Sequence, residues 1–391
     1  ATADTQAQAN FGYVSNADSA IVLTLPPSNM LTVGSEIKLL VNGEGNVTVT
    51  PNAGQNFKTS AGLSWQMTSA PRSWWSGLAT SADGTRVIAG NSNNGGIYLS
   101  TDSGATWSQT SAPNTYWSSL ASSADGSKLA ATISNNGGIY VSADSGTTWT
   151  QTSAPAAYWA GLASSADGTK LVAANGNNGG IYLSADSGAT WTQTSAPTAY
   201  WRGVAMSTDG TRIVANNQSS GSIYVSADGG ATWQSNGSGL SAAAVACSGD
   251  CTKVVIVGYN GIYTSTDSGA TMTQADAPVS SEWTSIGMSN DGNTIVAVSY
   301  SSPMDFAGAG IYVSRDGGAI WTQVEQTTNS SWQAAAVSAD GRKLYAGGNY
   351  GNIFTNGGGS LVARAASALD LIYAGGGTFF LATVSGSVIA P

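Results

Sequence analysis

The stretch Ile97-Tyr98-Leu99-Ser100-Thr101-Asp102-Ser103-Gly104-Ala105-Thr106-Trp107 returns along the chain with little change, its Trp falling again at Trp149, Trp191 and Trp233. The spacing is 42 residues each time, and weaker copies end at Met272 and Trp321 after steps of 39 and 49. A second marker, Asp-Gly ahead of a β-rich run, stands at Asp83, Asp125, Asp167, Asp209, Asp291 and Asp340, with the Cys-flanked Asp250 filling the gap. Seven markers mean seven repeats, and a fixed period of this length is the mark of a repeat architecture. The third copy reads as four short strands, 159–164, 170–174, 181–184 and 190–194, with Asp-Gly and Asn-Asn-Gly-Gly tips that supply left-handed turn conformations. Four antiparallel strands per repeat predict a β-propeller blade. Helical solenoids of similar period need long Leu/Ala-rich helical runs, which the chain lacks.

The two ends of the repeat array suggest how the ring shuts. The seventh repeat supplies three strands between Trp332 and Phe354 and no Thr-Trp strand after them. An orphan strand, Leu63-Ser64-Trp65-Gln66-Met67-Thr68, precedes the first repeat, with Trp65 in phase 42 residues before Trp107. The reading is an all-β, seven-bladed propeller over residues 61–357, its last blade completed by this early strand so that no edge is left open.

Composition narrows the function. The 391 residues carry 13 Lys+Arg against 22 Asp+Glu, a net charge of −9, and only 9% are charged while 41% are hydrophobic. Such a chain has ample surface to bury and is a poor partner for nucleic acid or an anionic membrane. No apolar run approaches the length of a bilayer span, and no basic-then-apolar leader opens the chain, so membrane insertion is not expected. There is no histidine, which removes His-based triads, zinc sites and proton shuttles; no metal or cofactor is expected. Cys247 and Cys251, four apart at a hairpin tip, suit a small disulfide and an oxidising compartment.

The Ser100-Thr101-Asp102-Ser103-Gly104-Ala105-Thr106-Trp107 string and its copies resemble the Asp-box (BNR) motif of sialidases, sortilin-like receptors, some glycosidases, photosystem assembly factors and propeller lectins. The resemblance implies a structural hairpin between strands three and four, with Asp102, Asp144, Asp186, Asp228, Asp267 and Asp316 tying its turns. It implies a fold and says little of function. The flanks, residues 11–60 and 358–391, are strand-rich and read as one small discontinuous β module into which the propeller is inserted. Strings such as Val49-Thr50-Pro51-Asn52-Ala53-Gly54-Gln55 and Leu371-Ile372-Tyr373-Ala374-Gly375 are similar to β modules of phage tail fibres and related adhesins, which implies attachment or self-association. Residues 1–10 read as a tail.

Strand parity sorts the loops. Antiparallel strands alternate direction, so the Asp-Gly turns and Asp-box hairpins share a lower face, while the four-to-one and two-to-three loops share an upper face. Upper-face loops carry Trp74, Tyr116, Tyr158 and Tyr200 beside Arg72 and Arg202, and Asn94, Asn136 and Asn178. Aromatic rings beside neutral amides suit sugars, whose C–H faces stack on rings while hydroxyls bond to amides; repetition would add avidity. The second aromatic of each loop (Trp75, Trp117, Trp159, Trp201, Trp283, Trp332) reads as packing between blades.

Three functions follow as expectations. The first is a surface recognition or adhesion protein, extracellular, at a cell surface or on a virion, binding glycans on the upper face. The second is a structural subunit of an extracellular filament or sheath. The third is a two-carboxylate glycosidase drawing on Asp276, Glu282, Asp305 and Glu325, which depart from the repeat consensus. A sialidase would need three converging Arg, and parity leaves only Arg72 and Arg202 on that face.

Overall fold

The computed structural model describes residues 5–16, 21–27, 30–42, 47–50, 56–58, 65–236, 239–259, 261–277, 282–300, 310–324, 331–356, 361–363, 367–375, 378–385 and 388–389. The chain divides into two compact units, Met67–Thr355, and Ala1–Gln66 with Asn356–Pro391. Among the described residues no helix is long and apolar enough to cross a membrane.

The first of these units is a seven-bladed propeller of four-stranded antiparallel sheets. The third blade runs outward through Trp159–Ser164, Leu171–Asn175, Ile181–Ser184 and Thr192–Gln193; its outer strand is two residues long, shorter than the sequence suggests. The seventh blade takes Trp332–Val337, Leu344–Gly348 and Ile353–Thr355 in turn, and its fourth strand is Gln66–Met67. The ring is therefore sealed by the early strand, and the Thr68 N–H donates to the Ile353 carbonyl at 2.8 Å just beyond the seal.

A second closure runs round the axis on the lower face. Ala82, Ala124, Ala166, Thr208, Gly249, Asn290 and Ala339 each donate a backbone N–H to the carbonyl of the next, and Ala339 donates back to Ala82, all at 2.7–2.9 Å. Seven donors and seven acceptors in one circle leave none of these groups orphaned.

Burial explains which residues form which strand. Second strands such as Ile213–Asn217 and Val254–Gly258 are buried throughout, because both faces of a mid-blade strand meet a neighbouring blade, while outer strands such as Thr192–Gln193 are exposed. Trp75, Trp117, Trp159, Trp201, Trp283 and Trp332 are 0–2% exposed and meet Tyr98, Tyr140, Tyr182, Tyr224, Tyr312 and Phe354 edge-on, with centroids 5.1–5.5 Å apart. That is the arrangement the aromatic quadrupole favours. The packing expected of this Trp series is what the blades use it for.

The hairpin aspartates bind their own turns. Asp102 accepts from the Ser100 hydroxyl at 2.8 Å, the Thr106 N–H at 2.8 Å and the Thr106 hydroxyl at 2.6 Å, while Trp107 Nε1 donates to the Gly104 carbonyl. Asp144, Asp186, Asp228 and Asp267 repeat the pattern with Thr148, Thr190, Thr232 and Thr271, and Asp316 accepts the Ile320 N–H.

Cys247 and Cys251 are disulfide-bonded, with Cα atoms 4.8 Å apart. Cys251 fills the turn position that is glycine in the other six blades (φ 66–73° there, 49° here). An L residue strains in this left-handed region by roughly 1–2 kcal/mol. The double variant C247S/C251G is therefore expected to be about 1 kcal/mol more stable than C247S/C251A in chemical denaturation. Equal stabilities would mean that the turn abandons the left-handed form without its crosslink.

The other unit holds two five-stranded sheets, each combining strands from both chain ends. One orders Thr5–Gln6, Ile21–Thr24, Val47–Thr50, Leu361–Ala363 and Val388–Ile389; the other orders Phe11–Ser15, Glu36–Val41, Ser367–Gly375, Thr378–Ser385 and Asn56–Lys58. Successive strands of the N-terminal half alternate between sheets, so same-sheet neighbours pair in parallel. Ile21, Leu23, Ile37, Leu39, Val41, Val47 and Val49 fill the core between them. The reading of residues 1–10 as a tail needs correction: Thr5–Gln6 pairs with Leu23–Thr24 and Ala7 is buried in that core.

Candidate ligand-binding face

The four-to-one loop of each of blades one to four meets the two-to-three loop of the preceding blade across a seam. Isolated antiparallel bridges join Gly95 to Thr115, Gly137 to Ala157, Gly179 to Ala199 and Gly351 to Ser73. Each of these pairs exchanges two N–H···O=C bonds of 2.9–3.1 Å. Antiparallel register places Asn94 opposite Tyr116, Asn136 opposite Tyr158, Asn178 opposite Tyr200 and Tyr350 opposite Trp74. All four of Asn94, Asn136, Asn178 and Tyr350 sit at positive φ, 47–51°, so the seams share one backbone geometry. In the seventh-to-first seam the opposed rings touch, Trp74 to Tyr350 at 5.5 Å.

The candidate rim residues are thus paired seam by seam. Trp74, Tyr116, Tyr158 and Tyr200 are 37–46% exposed, and the three asparagines are exposed. Arg72 lies on the same face, exposed beside Tyr350. It lies 4.7 Å over the Tyr350 ring, and its Nε donates to the Tyr350 carbonyl at 3.0 Å, so it clamps a seam.

Inside the rim lies an axial cavity of about 1020 Å³ to which all seven blades contribute. Its lining arises from a repeated irregularity. In every blade the pairing of strands one and two slips near the start of strand one, as between Trp75 and Gly77 or Trp201 and Gly203, and in blade six between Trp283 and Ser285. A bulge of this kind re-aims the unpaired side chain. The bulged residues, Ser76, Ser118, Ala160, Arg202, Ala243, Thr284 and Gln333, all line the cavity. A second ring comes from the ends of strand two: Ser92, Ser134, Gly176, Gln218, Tyr259, Tyr300 and Asn349.

The two rings are lopsided. Blades one to three supply only Ser, Ala and Gly to them, whereas blades four to seven supply Arg202, Gln218, Tyr259, Tyr300, Gln333 and Asn349. Tyr158 and Asn177 line the cavity as well, so the rim and the cavity meet at blade three. Sequence reasoning found Arg202 and missed the other large side chains. The available signal was the residue after each strand-opening aromatic, where otherwise similar repeats diverge.

The alternative catalytic set does not assemble among the described residues. Glu282 lines the cavity, but Asp276 is exposed on its loop and does not. Asp305 and Glu325 lie outside the described residues. No group of three or more His, Cys, Asp or Glu that could hold a metal occurs among the described residues.

Fold and face together define a seven-bladed β-propeller with an asymmetric axial cavity and four repeated seams beside it. No protein family matches the chain, and no curated protein does. Among solved structures the fold is similar to YCF48 from Cyanidioschyzon merolae, with 14% identity and a TM-score of 0.59 over 74% of this chain and 98% of that one. It is also similar to a YCF48 bound to D1 peptide, with 13% identity and a TM-score of 0.56 over 75% and 95%. At these identities the likeness is one of fold.

Proposed function

We propose that the protein is a non-catalytic recognition propeller of Asp-box type that binds glycans on its upper face, at an extracellular, cell-surface or virion location. The observation that carries this reading is the fourfold seam. An exposed ring stands in register with an exposed asparagine or second ring, on one backbone geometry, at four consecutive places. Neutral rings and amides suit uncharged polyols, and four weak sites on one rigid ring bind a repeating ligand with avidity of roughly 10²–10⁴ over one site.

The test is a glycan array with the wild type and the quadruple variant W74A/Y116A/Y158A/Y200A. The expected result is a loss of at least about 100-fold in apparent affinity for the quadruple variant and a few-fold for each single change, with melting temperature nearly unchanged. Undiminished binding by the quadruple variant would remove the seams from consideration.

A second reading is recognition of a peptide segment, favoured by the YCF48 structure with its bound D1 peptide on a similar fold. It predicts a blank glycan array and a positive peptide array.

A further inference from the structure

The bulge position has a structural task in several blades, and blade four gives it up. Ser76 donates its hydroxyl to the Trp117 carbonyl at 2.7 Å, Ser118 to the Trp159 carbonyl at 3.0 Å and Thr284 to the Trp332 carbonyl at 2.7 Å. Each hydroxyl thereby ties its blade to the opening residue of the next. In blade four the equivalent carbonyl, that of Ala242, is bonded by the buried Asn216 amide at 2.8 Å instead. The tie has moved to strand two, and the bulge position carries Arg202. Arg202 is exposed, lines the cavity and has no side-chain partner among the described residues.

Arg202 is also the one cation among the described lining residues of the cavity, in a chain of net charge −9. Beside it in blade five stands Tyr259, 57% exposed, and beyond that Glu282 of blade six, at the rim position that Tyr158 and Tyr200 hold in their own blades. Gln218, Gln333 and Asn349 complete the wall.

Building on the glycan reading, we propose that this half of the cavity is a subsite for an acidic sugar residue, a hexuronate, within or at the end of the bound glycan. A guanidinium offers a planar fork of donors that matches a carboxylate bidentately. The Tyr259 ring offers a face for the pyranose C–H bonds. Glu282, as an acceptor, takes sugar hydroxyls rather than a second acid group, so a singly charged residue fits and a dianion such as a phosphate monoester is repelled. The chain of sugars reaches this subsite over Tyr158 and Asn177, which border both rim and cavity.

The experiment is calorimetric titration of the full chain with tetrasaccharides of galacturonate, mannuronate or glucuronate-containing repeats, each beside its carboxyl-reduced counterpart. The expected result is that at least one acidic tetrasaccharide binds 10-fold or more tighter than its reduced form. R202Q should abolish this preference, R202K should restore part of it, and added salt should narrow it. If acidic and reduced forms bind equally, or R202Q leaves the preference intact, the subsite is overturned while the seam reading stands. If no tetrasaccharide of either kind binds, and the array is blank, both fall together.

Discussion

Replacing Trp75 by alanine is expected to cost about 3–5 kcal/mol of stability, while the same change one residue earlier, at Trp74, costs less than about 1 kcal/mol. Two adjacent tryptophans differ so much because the bridge at Ser73 and the start of strand one turn them to opposite environments. Trp75 is fully buried in the cluster where blade one meets blade seven, edge-on to Tyr98 and packed with Leu78, Ala334 and Tyr345. Its removal leaves a cavity at the seam that shuts the ring, where neighbouring rigid sheets cannot collapse to fill it. Trp74 stands 37% exposed against Tyr350 and forfeits only a ring contact. The indole Nε1 of Trp75 is buried without an acceptor among the described residues, so W75F loses area but also sheds an unsatisfied donor. W75F should accordingly sit well above W75A. Chemical denaturation followed by tryptophan fluorescence and near-ultraviolet dichroism measures all three. A W75A cost near that of W74A would mean that the blade interface repacks around the missing ring.

The blade number was legible because each repeat restates it. A Trp that opens strand one, an Asp-Gly turn and a Thr-Trp strand all recur in phase, and Trp65 betrays the closing strand by keeping that phase outside the array. Parity then sorted rim from lower face without coordinates. The cavity wall was not legible for a definite reason. Strict alternation would pair the residue after a buried Trp regularly with strand two, whereas the bulge leaves it unpaired and at the cavity wall. A bulge is a property of pairing between strands, and local sequence carries it only as variability at one position: Ser76, Ser118, Ala160, Arg202, Ala243, Thr284, Gln333. Thr5–Gln6 escaped notice because a two-residue polar strand has no alternation to show, and its partner Leu23–Thr24 is distant in sequence.

Stability should be flat between about pH 5 and 8 and then fall steeply below about pH 4. The flat region follows from the absence of histidine, the side chain that ordinarily titrates there. The fall follows from the turn aspartates. The Thr148 hydroxyl, then the Thr148 N–H and the Ser142 hydroxyl, hold the Asp144 carboxyl at about 2, and Asp186 and Asp228 are held at about 2 by the same set from their own hairpins. In the strand-one turns, the Ser123 hydroxyl followed by the Ser127 N–H and hydroxyl hold Asp125 at about 2, and Ser207 with Thr211 does so for Asp209. Asp167 is held below the usual carboxylate range by Ser165 and Thr169. Unfolding returns each group toward its ordinary value of 3.8. Between those values the unfolded chain binds more protons than the folded one, so stability rises with pH across that window. The contribution is complete above the unfolded value and disappears as pH drops from about 4 toward 2. Because hydrogen bonds rather than ion pairs cause most of the depression, 0.5 M salt should leave the profile nearly unmoved, unlike that of a fold held by surface charge pairs. D186N, whose amide cannot accept from both Thr190 groups as a carboxylate does, should lower the plateau and shallow the acid limb together. Melting temperatures across pH 2–9, at low and high salt, decide the matter. A plateau that breaks near pH 6, or an acid limb that moves with salt, would place the titrating groups elsewhere.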